Sequence, residues 1–354
     1  MIDLETLLRK AADDNASDIY LISGRPLSCK INGVIVEMSE DRLMPEDTQA
    51  LIEEIYRMSS NRGITRVSEK GDDDFSFSLP GVARFRVSAY KQRGTLAAVI
   101  RVVAFDLPEP SSLGIPQVIL SLAQKKKGLV LVTGPAGSGK STTLSCMIDQ
   151  INCTRNAHII TLEDPIEFLH RHNMSIVSQR EISLDTSSYV VALRAALRQA
   201  PDVILLGELR DSETINIAMT AAETGHLVIS TLHTVGAANT IDRIVDAFPA
   251  NQQGQIRVQL AMVLQSVVSQ QLVPNKDGHV VPAFEIMIVN DAIRNMIRES
   301  KIHQIDSVIT SSQAEGMVTM DTNLLKMYKE GQISDITALA FSTQPELMKR
   351  KMAL

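Results

Sequence analysis

Gly134-Pro135-Ala136-Gly137-Ser138-Gly139-Lys140-Ser141-Thr142 decides how the rest of the chain is read: a glycine, four residues, then glycine-lysine-serine. Before it runs Gly128-Leu129-Val130-Leu131-Val132-Thr133, a short apolar, β-branched stretch with the character of a buried strand. After it, Thr142 to Ile151 has helical composition, so strand, glycine loop and helix stand in the order that a phosphate-binding loop requires. Glycines let such a loop turn tightly and aim several N–H groups at one phosphate, beside a helix N-terminus that favours anions. In this arrangement Lys140 would reach the β- and γ-phosphates of a bound nucleotide and the Ser141 hydroxyl would bind Mg²⁺. The stretch predicts a nucleoside-triphosphate site.

The rest of the composition bounds what can surround that site. At 354 residues two domains are expected. A hydrophobic content of 44% with 21% charged residues belongs to an ordinary water-soluble chain. The net charge of −6 argues against a general affinity for nucleic acid or anionic membranes. Cys29, Cys146 and Cys153 form no C-x-x-C pair, so neither a zinc ribbon nor a disulfide framework is suggested. The N-terminus is an acidic amphipathic stretch, not a signal peptide. The most apolar long segment, Val258 to Val273, is interrupted by four glutamines and cannot span a membrane. A cytoplasmic location follows.

Met1 to about Val103 reads as an α+β domain. Ile2, Leu4, Leu7, Leu8 and Ala11 fall at helical spacing, and strands are expected at 18–22, 27–31 and 34–36, the last two joined by an Asn32-Gly33 turn. Helices are expected at 45–56 and 62–70, then strands at 75–79, 83–87 and 96–103. Asp106 to Ser112, with two prolines, is the expected linker. Beyond it strands at 129–133, 158–163, 175–179, 203–207 and 227–232 alternate with helices, as in a doubly wound parallel sheet, and from about Pro282 the pattern turns helical.

Three further stretches carry candidate chemistry. Asp202 to Glu208 is an apolar strand ending in a carboxylate, suited to position water or to hold the metal. Glu163 and Asp164 end another apolar strand at the same sheet edge, where ligands of open α/β sheets bind; a strand-end turn made by Asp164-Pro165 explains them equally. His226 and His233 bracket a strand at a spacing wrong for a zinc helix, which leaves a γ-phosphate sensor, a subunit-interface hydrogen bond or a structural role, the last more for His226. In the first domain Arg84, Arg86 and Arg93 concentrate positive charge, either as a solvated strand face or as arginine fingers for nucleotide bound elsewhere.

Taken together these blocks resemble the secretion ATPase superfamily and, within it, the PilT-type retraction ATPases of type IV pili, over nearly the whole chain. Residues 160–167 resemble the family's Asp box, 202–211 its Walker B block with Glu208 in the catalytic position, and 224–234 its His box. Ala292-Ile293-Arg294-Asn295-Met296-Ile297-Arg298-Glu299 resembles the signature helix of retraction ATPases. The resemblance implies a PAS-like N-terminal α+β domain over 1–105, a linker over 106–112, and a RecA-like P-loop ATPase core over 113–354 with a helical C-terminal extension. It implies a homohexameric ring at the inner face of the cytoplasmic membrane, ATP and Mg²⁺ as cofactors, and an inner-membrane pilus platform protein as partner, with no nucleic acid. Glu208, Glu163, His233, Arg84, Arg86, Arg93 and Arg243 take catalytic positions in it, the loop 134–142 binds nucleotide, and Ser141, Glu163 and Glu208 serve the metal. Tyr20, Ala136 and Met296 depart from the usual histidine, threonine and leucine without removing a group that the chemistry needs. Pilus extension, type II secretion and DNA-uptake ATPases are the alternative, disfavoured because their usual extra N-terminal domain and four-cysteine site are absent here. A nucleotide-binding regulator would not need the Glu163, Glu208 and His233 set. A DNA translocase fits poorly with the acidic balance.

Overall fold

The computed structural model describes residues 3–31, 33–59, 63–103 and 107–353. Ile2 of the first helix, Asn32 of the hairpin turn, Arg62 at the expected start of the third helix and Asp106 of the linker lie outside the described residues. The chain divides into residues 1–106 with 167–169, and residues 107–166 with 170–354.

The first unit is a six-stranded antiparallel sheet in the order β3-β2-β1-β6-β5-β4. Its strands are β1 (Ala16–Leu21), β2 (Pro26–Ile31), β3 (Val34–Arg42), β4 (Asp72–Leu79), β5 (Ala83–Gln92) and β6 (Thr95–Val103). Asp3 caps the helix Leu4–Asp13 by accepting the Thr6 amide at 3.0 Å, and Leu4, Leu7, Leu8 and Ala11 turn inward. The helix Pro45–Met58 covers the sheet with Leu51, Ile52, Ile55 and Tyr56. On β5 the period-two alternation is clean: Phe85 and Val87 are buried, while Arg84 is half-buried and Arg86 exposed on the opposite face. Arg93 does not join them. It sits in the two-residue turn to β6 with φ 49°, followed by Gly94 at φ 80°. At about 3.3 Å per residue the seven-residue separation puts Arg93 about 23 Å along the chain from Arg86, so the three arginines do not form one patch.

The second unit is a seven-stranded sheet in the order β13-β12-β7-β11-β10-β8-β9. It contains β7 (Gly128–Thr133), β8 (His158–Glu163), β9 (Ile176–Glu181), β10 (Val203–Leu206), β11 (Leu227–Leu232), β12 (Leu264–Pro274) and β13 (Val280–Ile288). Six strands are parallel, and β13 returns antiparallel along the edge. Strands β7, β10 and β11 are buried on both faces, as near-continuous apolar runs require. Neither β12 nor β13 is expected from the sequence pattern, and the strand β13 overturns a helical region beginning near Pro282. The helix Ala250–Val263 passes directly into β12 with no glycine or proline between them, so no turn signal marks the change. Pro282 belongs to β13, an edge strand where a missing N–H is tolerated. Helices begin again at Asp291. Among the described residues no helix is long and apolar enough to cross a membrane.

One buried carboxylate ties these late elements to the sheet. Glu285 of β13 accepts the Ala237 amide at 2.6 Å and the Met320 amide at 3.2 Å, the first residues of the helices Ala237–Asp246 and Met320–Lys329. Burial pushes its carboxyl up from the usual value, against the pull of the two amides. A raised carboxyl binds its proton more tightly in the folded chain. Its favourable contribution is therefore complete below the unfolded value and is lost as pH rises through the folded one. Glu285→Ala should destabilise the second unit by about 1–3 kcal/mol by orphaning two amides. Denaturant melts across pH should show the gap between wild type and variant narrowing as pH rises through the carboxylate range.

Candidate active site

At the carboxyl edge of the parallel sheet β7, β11, β10 and β8 end beside one another, spaced by about 4.8 Å from strand to strand. β7 gives way to the loop 134–139, and the helix Lys140–Thr154 starts from Gly139, which is left-handed at φ 85°. The first helical bond is donated by Thr143 to the Gly139 carbonyl at 3.1 Å, so the amides of the preceding turn point out of the helix end. Lys140 is buried and folds back, its Nζ 2.9 Å from the Gly134 carbonyl and 2.8 Å from that of Pro135. The Ser138 Oγ and Thr133 Oγ1 are buried without a hydrogen-bond partner, an arrangement suited to a ligand oxygen between them and the loop. Ser141 and Thr142 follow on the first turn, half-buried.

The strand beside β7 matters as much as the loop itself. Ser269 of β12 pairs with Thr133, and β12 runs on where β7 stops. A Cβ on Gly134 would lie 2.1 Å from the Gln270 carbonyl oxygen, and one on Gly139 would lie 2.8 Å from Gln270 Nε2. Gln270 is itself buried, and its Oε1 accepts from Thr143 Oγ1 at 2.7 Å. Beyond this point a cavity of about 560 Å³ opens between the loop and the late elements, lined by Gly139, Thr142, Thr143, Leu272, Asn323 and Met327 among others. Gln270 carries no signal in the sequence, since it lies 127 positions from Thr143 on a strand that the pattern hides.

Two strands from β7, Glu208 follows β10. Gly207 is needed before it, because a Cβ there would lie 2.7 Å from the Tyr189 hydroxyl. Glu208 Oε1 is bonded to Arg210, and Oε2 lies 3.3 Å from His233 Nε2. Burial raises its carboxyl, but the bond and charge of Arg210, with those of His233, outweigh it and hold the group below its usual value. His233 thus joins Glu208, whereas His226 donates from Nδ1 to the Ala221 carbonyl at 2.9 Å and closes the end of the helix Ser212–Glu223. Arg210, two residues past Glu208, was not among the sequence candidates. Glu163 ends β8, where its Oε1 accepts from Thr161 Oγ1 at 2.6 Å and Gln179 Nε2 at 3.2 Å, and a cis Asp164–Pro165 bond follows. Arg243 is exposed on the helix Ala237–Asp246. Arg84, Arg86 and Arg93 belong to the first unit.

At the opposite edge of the sheet the helix Asp291–Arg298 packs on the helix Ala250–Val263. Arg294 does not wait there for a partner: its Nη1 donates to the carbonyls of Ala261 and Met262, at 2.8 and 3.3 Å. It closes the helix end immediately before β12. Arg298 bonds to Asn295 on the surface.

A family model described as "Type II/IV secretion system protein" matches residues 1–334. The chain belongs to that family. It is 44% identical to the type IV pilus retraction ATPase PilT of Pseudomonas aeruginosa over 345 residues, 98% of this chain and 99% of the other. A twitching motility protein of Neisseria gonorrhoeae is 50% identical over 276 residues, 78% of this chain and 74% of that one. Among solved structures, the pilus retraction motor PilT with bound ADP superposes with a TM-score of 0.89 at 47% identity, covering 99% of both chains. The α/β class and the ATPase core with its helical extension agree with that likeness.

The close approach of β12 makes a sharp local prediction. Gly134→Ala forces a methyl group against backbone and should cost at least about 2 kcal/mol. Gly137→Ala meets no atom within 4 Å; its left-handed backbone should cost only about 1–2 kcal/mol. Thermal unfolding of the two variants, side by side, checks the difference.

Proposed function

We propose that this chain is an ATP-hydrolysing motor that powers retraction of a type IV pilus. The observation that carries the reading is end-to-end likeness to a retraction ATPase, 98% of one chain on 99% of the other, joined to a phosphate loop facing a guarded carboxylate. Pilus extension and type II secretion use related chains, but nothing at this site favours them over retraction.

The triphosphate of ATP lies along residues 134–142, where the outward-pointing amides and the helix end receive its negative charge. Lys140 leaves the Gly134 and Pro135 carbonyls for the β- and γ-phosphates. Ser141 would hold Mg²⁺, served by Glu208 and Glu163 from two and three strands away on the same edge. The donors are hydroxyl and carboxylate oxygens, which suit a hard ion, and Mg²⁺ is usually held by few protein oxygens plus phosphates. When bound, the ion neutralises charge on the transferred phosphoryl group.

Glu208 orients the attacking water. Held below the usual carboxylate range, it is ionised at neutral pH and available as an acceptor. Arg210 covers one of its oxygens, so turnover requires that guanidinium to move off, and His233 keeps the other oxygen in place. Arg84, Arg86, Arg93 and Arg243 neutralise charge on nucleotide across copies of the chain in a homohexameric ring. The ring acts on an inner-membrane platform protein at the cytoplasmic face of the membrane.

Glu208→Gln keeps the shape of the site and removes the base. It should retain bound ATP and slow hydrolysis at least about 100-fold, equivalent to about 3 kcal/mol in the barrier. Steady-state phosphate release with a parallel ATP-binding titration measures both quantities. Turnover equal to the parent would show that another group orients the water.

A further inference from the structure

Gln270 has a second side-chain end that the loop does not use. Its Oε1 is committed to Thr143 Oγ1 at 2.7 Å, which turns the amide nitrogen the other way. The residue is 3% exposed. Among the described residues no acceptor is bonded to Nε2, and it is not among the fully buried unpartnered side-chain atoms, so it keeps access to the adjoining cavity. That nitrogen packs over Gly139, where an added Cβ would stand 2.8 Å away. Gln270, Gly139, Thr142 and Thr143 also share the wall of the 560 Å³ cavity. The volume falls within the range of small-molecule sites, about 300–1,000 Å³.

The geometry points to Gln270 as a nucleotide-contacting residue: we propose that its Nε2 donates to an oxygen on the nucleoside side of the β-phosphate, on the α-phosphate or the ribose. The assignment rests on the nucleotide reading above and names a contact within it. A P-loop cradles the α- and β-phosphates with its amides, so the nucleoside must leave the loop at its open side. The cavity touching Gly139 and Thr142 is such an exit, and Nε2 stands at its mouth. Thr143 fixes the rotation of the amide, so the donor is aimed before nucleotide arrives, and the entropy of ordering it is not charged to binding. Because Gln270 is on β12, the contact also attaches the nucleoside end of the ligand to the strand whose other end Arg294 closes.

The test uses the purified full-length chain and two probes, ADP and inorganic tripolyphosphate. Tripolyphosphate can fill the loop but has no nucleoside side. Gln270→Met keeps the length of the side chain and removes both polar ends. It should weaken ADP about tenfold, which is about 1.4 kcal/mol, and leave tripolyphosphate within about twofold of wild type. Gln270→Leu likewise removes the donor without adding charge beside the loop, so it should weaken ADP about as much, again sparing tripolyphosphate; it serves if Gln270→Met does not fold. Equal weakening of both probes means that Gln270 only shapes the loop and overturns the contact. Unchanged ADP affinity in either folded variant overturns it as well. A wild-type chain that binds tripolyphosphate but not ADP would instead remove the nucleotide reading on which the contact stands.

Discussion

Two parallel strands of unequal length hold the site together. β7 stops at Thr133 so that its backbone can become a phosphate loop, while its partner β12 continues past that level. The Gln270 carbonyl then occupies the space beside Gly134, leaving no room for a side chain there. A glycine loop is soft because glycine tolerates so many backbone conformations. Here packing from β12, not the loop's own sequence, removes that freedom. The Thr143–Gln270 hydrogen bond then fastens the first turn of the helix to the same strand. β12 is in turn anchored at its start by Arg294 on the carbonyls of Ala261 and Met262.

The remaining chemistry is brought in by strand order. With β11 and β10 between β7 and β8, His233, Glu208 and Glu163 reach the carboxyl edge at increasing distance from the loop, in steps of about 4.8 Å. Glu208 is held by Arg210 and His233 in an ionised state, with both of its oxygens engaged. If Glu208 is the water-orienting base proposed above, keeping it covered in this way suits an enzyme that must not hydrolyse ATP until another event uncovers it.

Much of this was legible before the structure, for identifiable reasons. Strands β7, β8, β10 and β11 are buried on both faces and therefore read as apolar runs, and the carboxylates and histidine at their ends stand out against them. The alternation of β5 separates Phe85 and Val87 from Arg84 and Arg86 directly. What was hidden depends on contacts distant in sequence. β12 follows a helix without any breaker, and its Gln265, Ser266, Ser269, Gln270 and Gln271 blur an apolar strand. Pro282 reads as an end but lies within an edge strand. Arg93 looked grouped with Arg84 and Arg86 because seven positions is a short interval in a list of residues and a long one along a strand. Arg294 offered a charge without showing that two carbonyls, more than 30 positions earlier, would take it.

The central claim is that this chain supplies force for taking pili apart. The most direct measurement is to delete its gene, count surface pili by electron microscopy and follow labelled pili in living cells. The account predicts abundant pili that extend and do not retract, corrected by a wild-type copy and not by one carrying Lys140→Ala. Cells without surface pili would contradict it and make the motor one of assembly.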